Sequence, residues 1–152
     1  MATMHQHHYD LFADSFQFYL QDEPADGDLS NSWTQQATER GLALAPGTIG
    51  IGTARNMTVP ADIEVSDTRP VDDDWGQWDQ VNECSIHVPT GRLVIAGCTD
   101  YFPEAARLSL PPGWYRARIY YGGLATVSED GLEGEDHYRI VLWSAPEAEE
   151  KA

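Results

Sequence analysis

The stretch from Leu108 to Tyr121, Leu-Ser-Leu-Pro-Pro-Gly-Trp-Tyr-Arg-Ala-Arg-Ile-Tyr-Tyr, constrains this chain more than any other. A proline-glycine corner feeds a run in which Tyr115, Ala117, Ile119 and Tyr121 share one face. Trp114, Arg116, Arg118 and Tyr120 take the other. Alternation with the period of a pleated strand marks a strand with one face in a core. His137 to Trp143 repeats the pattern, with Tyr138, Ile140 and Leu142 inward and His137, Arg139, Val141 and Trp143 outward.

The rest of the chain supplies more strands of this kind. A strand is expected from about Tyr9 to Gln21, where Phe16, Phe18 and Leu20 alternate with Gln17, Tyr19 and Gln21. Ile49 and Ile51 alternate with Gly50 and Gly52, and side-chain-free positions in a strand imply close approach by another backbone or a helix. Val59, Ala61, Ile63 and Val65 alternate with Asp62, Glu64 and Ser66, giving one buried and one wet face. A hairpin is expected about Pro89-Thr-Gly-Arg92, with Cys84 opposite Cys98, Ile86 opposite Ala96 and Val88 opposite Val94. One short helix is expected over residues 33–40, capped by Ser32 with Gln35 at its N-terminus and by Gly41 at its C-terminus. With turn signals between the strands, the pattern predicts a mainly all-β chain, an antiparallel β-sandwich of seven to eight strands. The expected organisation is a flexible His-containing segment 1–8, one β-sandwich domain over 9–146, and an acidic tail 147–152.

Charge narrows function. The chain has 25 acidic and 9 basic residues in 152, a formal net charge of −16, and its only lysine is Lys151. Direct nucleic-acid binding needs clustered Lys and Arg at phosphates, so it is disfavoured. An acidic surface suits a protein partner with a basic site. No stretch approaches the ~20 apolar residues that span a bilayer, and residues 1–8 carry no apolar signal region, so a cytoplasmic protein is expected. In that compartment Cys84 and Cys98 read as reduced packing residues. His5, His7 and His8 on a fraying terminus offer no preformed geometry, and neither metal nor cofactor is expected.

No arrangement of catalytic residues stands out: Gly-x-Ser-x-Gly, His-Glu-x-x-His and a phosphate-cradling glycine loop are all missing. His87 has no identifiable partner for general-base work. Two features point to binding. Asp72, Asp73 and Asp74 flank Trp75 and Trp78, a combination of aromatic anchors rimmed by charge that is typical of protein-binding surfaces. A second acidic loop carries Glu129, Asp130, Glu133, Glu135 and Asp136. The competing surface is the outward face of Trp114, Arg116, Arg118, Arg139 and Trp143, read either as an anion or ligand site or as guanidiniums stacked on tryptophan and paired with carboxylates.

The stretch from Trp33 to Asn56 resembles the competence protein J (ComJ) family, at Trp33-Thr34, Ala37, Arg40-Gly41, Ala43, Ala45, Gly47, Ile49 and Arg55-Asn56. Phe16-Gln-Phe-Tyr19 and Leu110-Pro-x-Gly-x-Tyr115 fall where that family has counterparts, while Ile63 to Tyr101 is weakly matched. The family's best-known member inhibits a membrane-associated DNA-entry nuclease. The resemblance therefore implies a small cytosolic bacterial protein that restrains a partner nuclease, and it transfers no catalytic residue. The loops at Pro70–Trp78 and Ser128–Asp136 have no counterpart in the family pattern, which leaves the partner open. The reading is a non-catalytic inhibitor or immunity-type protein for a nuclease or other toxin-like enzyme, without membrane insertion. A small-molecule or glycan-binding sandwich using the Arg/Trp face is the alternative, and an unrecognised hydrolase a more distant one.

Overall fold

The computed structural model describes residues 4–13, 16–23, 33–45, 47–66, 68–69, 78–97 and 105–148, with the backbone alone at positions 4 and 5. Ten strands among these residues form two five-stranded sheets. The first sheet runs β1 (Met4–Phe12), β5 (Thr58–Ser66), β10 (His137–Ser144), β9 (Gly113–Gly122), β6 (Gln80–Val88). The second runs β3 (Leu42–Ala45), β4 (Thr48–Gly52), β2 (Gln17–Asp22), β7 (Arg92–Gly97), β8 (Ala106–Ser109). The sandwich stands. Its pairing is antiparallel except at one seam, where β5 and β10 run parallel with Ile63 beside Ile140.

The faces follow the alternation. Tyr115, Ala117, Ile119 and Tyr121 of β9 enter the core with Tyr138, Ile140 and Leu142 of β10. Phe18 and Leu20 of β2 and Ile49 and Ile51 of β4 meet them from the second sheet, all fully buried. Each such side chain is stabilised by ~1.5–3 kcal/mol on leaving water. The corner before β9 is tied by the Tyr115 hydroxyl, which donates to the Pro111 carbonyl at 2.5 Å.

Four expectations need correction. The segment expected as one strand from Tyr9 is two, β1 and β2, in different sheets, and residues 4–8 are paired against β5 rather than fraying. The break lies where the Ala13 N–H turns to the Met57 carbonyl and Phe16 adopts a φ of 61°. The hairpin is not formed either: β6 and β7 belong to opposite sheets. Their connection is an arch held from outside, with Thr90 donating its hydroxyl to buried Asp22 at 2.7 Å and Gly91 at a φ of 74°. Leu93 and Ile95, rather than Val94 and Ala96, join Cys84, Ile86 and Val88 in the core. Cys98 lies outside the described residues, so its expected contact with Cys84 does too.

The helix, α1 (Gln35–Arg40), begins later than expected, because Thr34 is its cap and accepts the Ala37 N–H at 3.1 Å. Gly41 closes it in the left-handed conformation as the sequence implied. Finally, the outer face of β5 is not uniformly wet: Glu64 and Ser66 are buried.

Candidate partner-binding site

One end of the sandwich gathers the termini of several elements around a pocket of about 510 Å³. Phe16 and Gln17 come from the start of β2, Gly41 from the end of α1, Gly52 from the end of β4, and Tyr121 from the end of β9. Trp33, Leu124 and Glu39 complete the principal walls. Gly52 is where the sequence anticipated a close approach: a Cβ there would lie 3.0 Å from the Gly41 Cα and 3.5 Å from the Trp33 ring. Without a side chain at that point, the helix end lies directly on the sheet.

The floor is polar but internally satisfied in most of its groups. The Tyr121 hydroxyl donates to the Gly41 carbonyl at 2.5 Å and accepts from Asn82 at 3.1 Å. Asn82 and Gln80 both donate to the Arg40 carbonyl, one of the last carbonyls of α1. Burial raises the Tyr121 pKa, with the Asn82 hydrogen bond opposing it, so the phenol stays neutral. The Trp33 indole N–H is taken by Gln17 Oε1 at 2.9 Å. What remains for a guest is mainly aromatic and aliphatic surface.

The acidic loop after β9 contributes Leu124 to the pocket wall. It opens with a single 3₁₀ turn, Leu124–Thr126, whose first N–H is received by Asp79 at 2.8 Å. Ser128 and Thr126 then brace it from within: Ser128 Oγ accepts the Glu133 N–H, and Thr126 Oγ1 accepts the Glu135 N–H. Asp130 receives the Ser128 hydroxyl at 2.5 Å and the Leu132 N–H at 3.1 Å, and these bonds, the Ser128 one foremost, lower its pKa. The Asn56 N–H ties the loop to the sandwich through the Gly131 carbonyl at 2.7 Å.

Glu129, Asp130, Glu133 and Glu135 are all exposed on this loop. Asp136 is different. It is fully buried, paired with Arg55 Nε at 2.8 Å, and accepts the Tyr138 hydroxyl at 2.6 Å. Tyr138 in turn accepts the Ala54 N–H at 2.8 Å, and burial holds its pKa well above the usual phenol range. Asp136 therefore belongs to the fold and leaves the set of surface contacts.

The Arg/Trp face also proves closed. Arg118 has no exposed surface, and Arg116 and Trp143 are buried. One carboxylate, Glu83, accepts from Arg116 Nε at 3.4 Å and Arg118 Nε at 3.2 Å. Arg139 makes a two-pronged pair with Glu64 at 2.9 and 2.8 Å. Arg118 lies over Trp143 and Arg139 over Tyr120, with Val81 and Val141 alongside. Stacking and pairing thus fill the surface that the alternative reading needed open. Trp114 is more exposed and stacks on His87 at 4.6 Å. Trp78, half-buried, packs on Tyr120 and His137 over Gly122, so it acts as cover for this layer. Asp72, Asp73, Asp74 and Trp75 lie outside the described residues.

On β1, an edge strand of the first sheet, His8 bridges Asp62 at 2.6 Å and Asp10 at 3.2 Å. The Asp62 bond is the larger cause of its raised pKa.

No family model and no curated protein sequence matches the chain. Among solved structures, the chain is similar to ComJ, inhibitor of the DNA degrading activity of NucA, from Bacillus subtilis. That likeness has a TM-score of 0.72 at 20% identity and covers 95% of this chain and 99% of the other. It is also similar to the protein described as crocagin biosynthetic gene J, with a TM-score of 0.55 at 14% identity over 96% and 99% of the two chains. The likeness is one of fold: a ComJ-like β-sandwich. No helix among the described residues is long and apolar enough to cross a membrane.

Proposed function

We propose that this protein is a non-catalytic, ComJ-like binding protein that inhibits a nuclease, or another toxin-like enzyme with a basic site, in the bacterial cytoplasm. The observation that carries the reading is the fold shared with a nuclease inhibitor across nearly the whole of both chains. The braced loop supports it, because Glu129, Asp130, Glu133 and Glu135 stand exposed where they can meet the cationic groups that a nuclease uses on phosphates. Asp72, Asp73, Asp74 and Trp75 enter the proposal on their sequence alone, with Trp78 as their attachment to the sandwich. In this role the carboxylates speed encounter and set specificity, while buried aromatic contacts hold the complex.

The test is stoichiometric inhibition. DNA degradation by NucA and by a panel of basic bacterial nucleases is measured while the purified chain is titrated in. The expected result is loss of activity at one equivalent for at least one enzyme, with a complex visible by size-exclusion chromatography. No inhibition and no complex across the panel at large molar excess overturns the proposal.

A further inference from the structure

Among the described residues, four of the five exposed large apolar side chains lie together, the fifth being Trp114 on its own against His87. Phe12, Phe16, Met57 and Leu132, each exposed by 41–44%, come from three segments that the backbone holds side by side. Phe12 pairs with Thr58, the Met57 carbonyl accepts the Ala13 N–H, and the Asn56 N–H binds the carbonyl of Gly131, next to Leu132. The Phe16 ring closes the group, since a Cβ on Gly131 would lie 2.9 Å from it. Phe16 is also a wall of the pocket described above.

Phe16 is held there against its backbone preference. A φ of 61° is rare for an aromatic residue, yet its N–H and carbonyl are fixed by Ala13 and Thr53 at 3.1 and 2.9 Å. An outlier at a ligand-facing position is a reason to look for function there. Among the described residues, exposed acidic side chains near the patch include Glu39, Asp79, Glu129, Asp130, Glu133 and Glu135. The nearby Arg55 is spent on Asp136, and half-buried Arg40 sits behind the Tyr121 floor.

We infer that the Phe16 end of the sandwich, pocket and acidic loop together, is a protein-docking surface whose occupant is a basic protein presenting one apolar side chain to the pocket. The inference rests on the inhibitor reading and names the surface that performs it. Charge complementarity selects a basic partner, and the aromatic and aliphatic walls of Phe16, Trp33, Tyr121 and Leu124 select an apolar anchor. Aromatic anchors ringed by charge are how compact interfaces concentrate binding energy.

The test uses the full chain and three capped five-residue probes: phenylalanine flanked by lysines, alanine flanked by lysines, and phenylalanine flanked by glutamates. Binding is followed by NMR at the Trp33 indole N–H and at the amides of Gly131 and Leu132. The lysine–phenylalanine probe is expected to saturate these signals with a Kd on the order of 1 mM. The other two probes should be at least about tenfold weaker. Phe16→Gly removes the ring while relieving the positive φ, so it should fold at least as stably and still lose about tenfold in affinity. A triple Glu129→Gln, Glu133→Gln, Glu135→Gln variant should lose affinity in low salt and converge on the parent at about 0.5 M salt. Shifts centred elsewhere, equal binding of the alanine probe, or unchanged binding by Phe16→Gly overturn the inference. If a nuclease is inhibited equally by the parent, Phe16→Gly and the triple variant, the inhibitor reading stands and this surface falls. If the probe binds as expected but no nuclease is inhibited, the surface stands and the inhibitor reading falls.

Discussion

Glu83→Gln should be among the more destabilising single-atom changes available to this protein. Glu83 is 3% exposed, and each of its oxygens receives the Nε of one arginine, Arg116 at 3.4 Å and Arg118 at 3.2 Å. The substitution keeps size and removes one negative charge from beside two guanidiniums that water does not reach. Breaking a buried pair in this way costs ~3–5 kcal/mol. The lower end applies, because both contacts are long and other bonds persist: Arg118 Nη1 to Tyr120 at 3.3 Å, and Arg116 Nη1 to Ser85 and the Ala148 carbonyl at 3.1 Å. About 3 kcal/mol corresponds to a Tm lower by roughly 6–12 °C for a chain of this length. Urea unfolding followed by tryptophan fluorescence should show the midpoint fall with the slope unchanged. Glu64→Gln is the control. Its partner Arg139 keeps 25% of its side chain in water, so screening should hold the loss to about 1 kcal/mol. Combining Glu83→Gln with Arg118→Met should recover part of the loss, because the buried charge goes too. A loss for Glu83→Gln below about 1 kcal/mol, or no greater than for Glu64→Gln, refutes the view that this layer is a desolvated part of the core.

Other expectations follow from single contacts. Thr34→Ala should cost about 1 kcal/mol in urea unfolding, since the α1 cap is lost. Gly91→Ala should cost more, roughly 1–3 kcal/mol, because a Cβ there meets the Leu110 carbonyl at 2.5 Å at a φ of 74°. Tyr138→Phe leaves buried Asp136 and the Ala54 N–H without the hydroxyl between them and should cost ~1–3 kcal/mol by the same assay. His8 should titrate above its ordinary value near 6.5 by NMR, with Asp62→Asn bringing it back down. Because its folded pKa is raised, the small stabilisation it gives is present below its unfolded pKa and lost as pH rises through the folded one.

What the sequence disclosed and what it hid divide along one physical line. Which way β9 and β10 face was legible, because Tyr115, Ala117, Ile119 and Tyr121 alternate with polar and basic neighbours. Which strand lies beside which was not. Leu93 to Ala96 is an unbroken apolar run with every residue buried, so its periodicity assigns neither phase nor partner, and a hairpin looked as good as an arch. The arch is decided by Asp22, 68 positions from the Thr90 it holds. Burial of charge was hidden for the same reason. Arg118 reads as an outward residue until β6 places Glu83 beside it, and Asp136 reads as one more loop carboxylate until Arg55 arrives from 81 positions away. The pocket was only hinted at. Its walls come from separate segments, and the single local signal was Gly52, whose missing side chain marked the close approach to the helix end.

The distribution of charge bears on how such a surface would work. Six of the 9 basic residues are engaged with four carboxylates: Arg55 with Asp136, Arg92 and Arg107 with Glu23, Arg116 and Arg118 with Glu83, Arg139 with Glu64. Most of the positive charge is thereby spent within the sandwich, while 25 acidic residues against 9 basic ones leave a net charge of −16. Solubility requires only that this charge exist, not that it be held in any geometry. The loop carrying Glu129, Asp130, Glu133 and Glu135 is nonetheless braced through Ser128, Thr126 and Asn56, beside an aromatic whose backbone strain is of order 1–3 kcal/mol. Ordering like charges side by side adds repulsion to that cost. A partner of opposite charge relieves the repulsion on binding and covers the ring. Encounter rates should then fall steeply with salt, while dissociation should follow the apolar contact at Phe16.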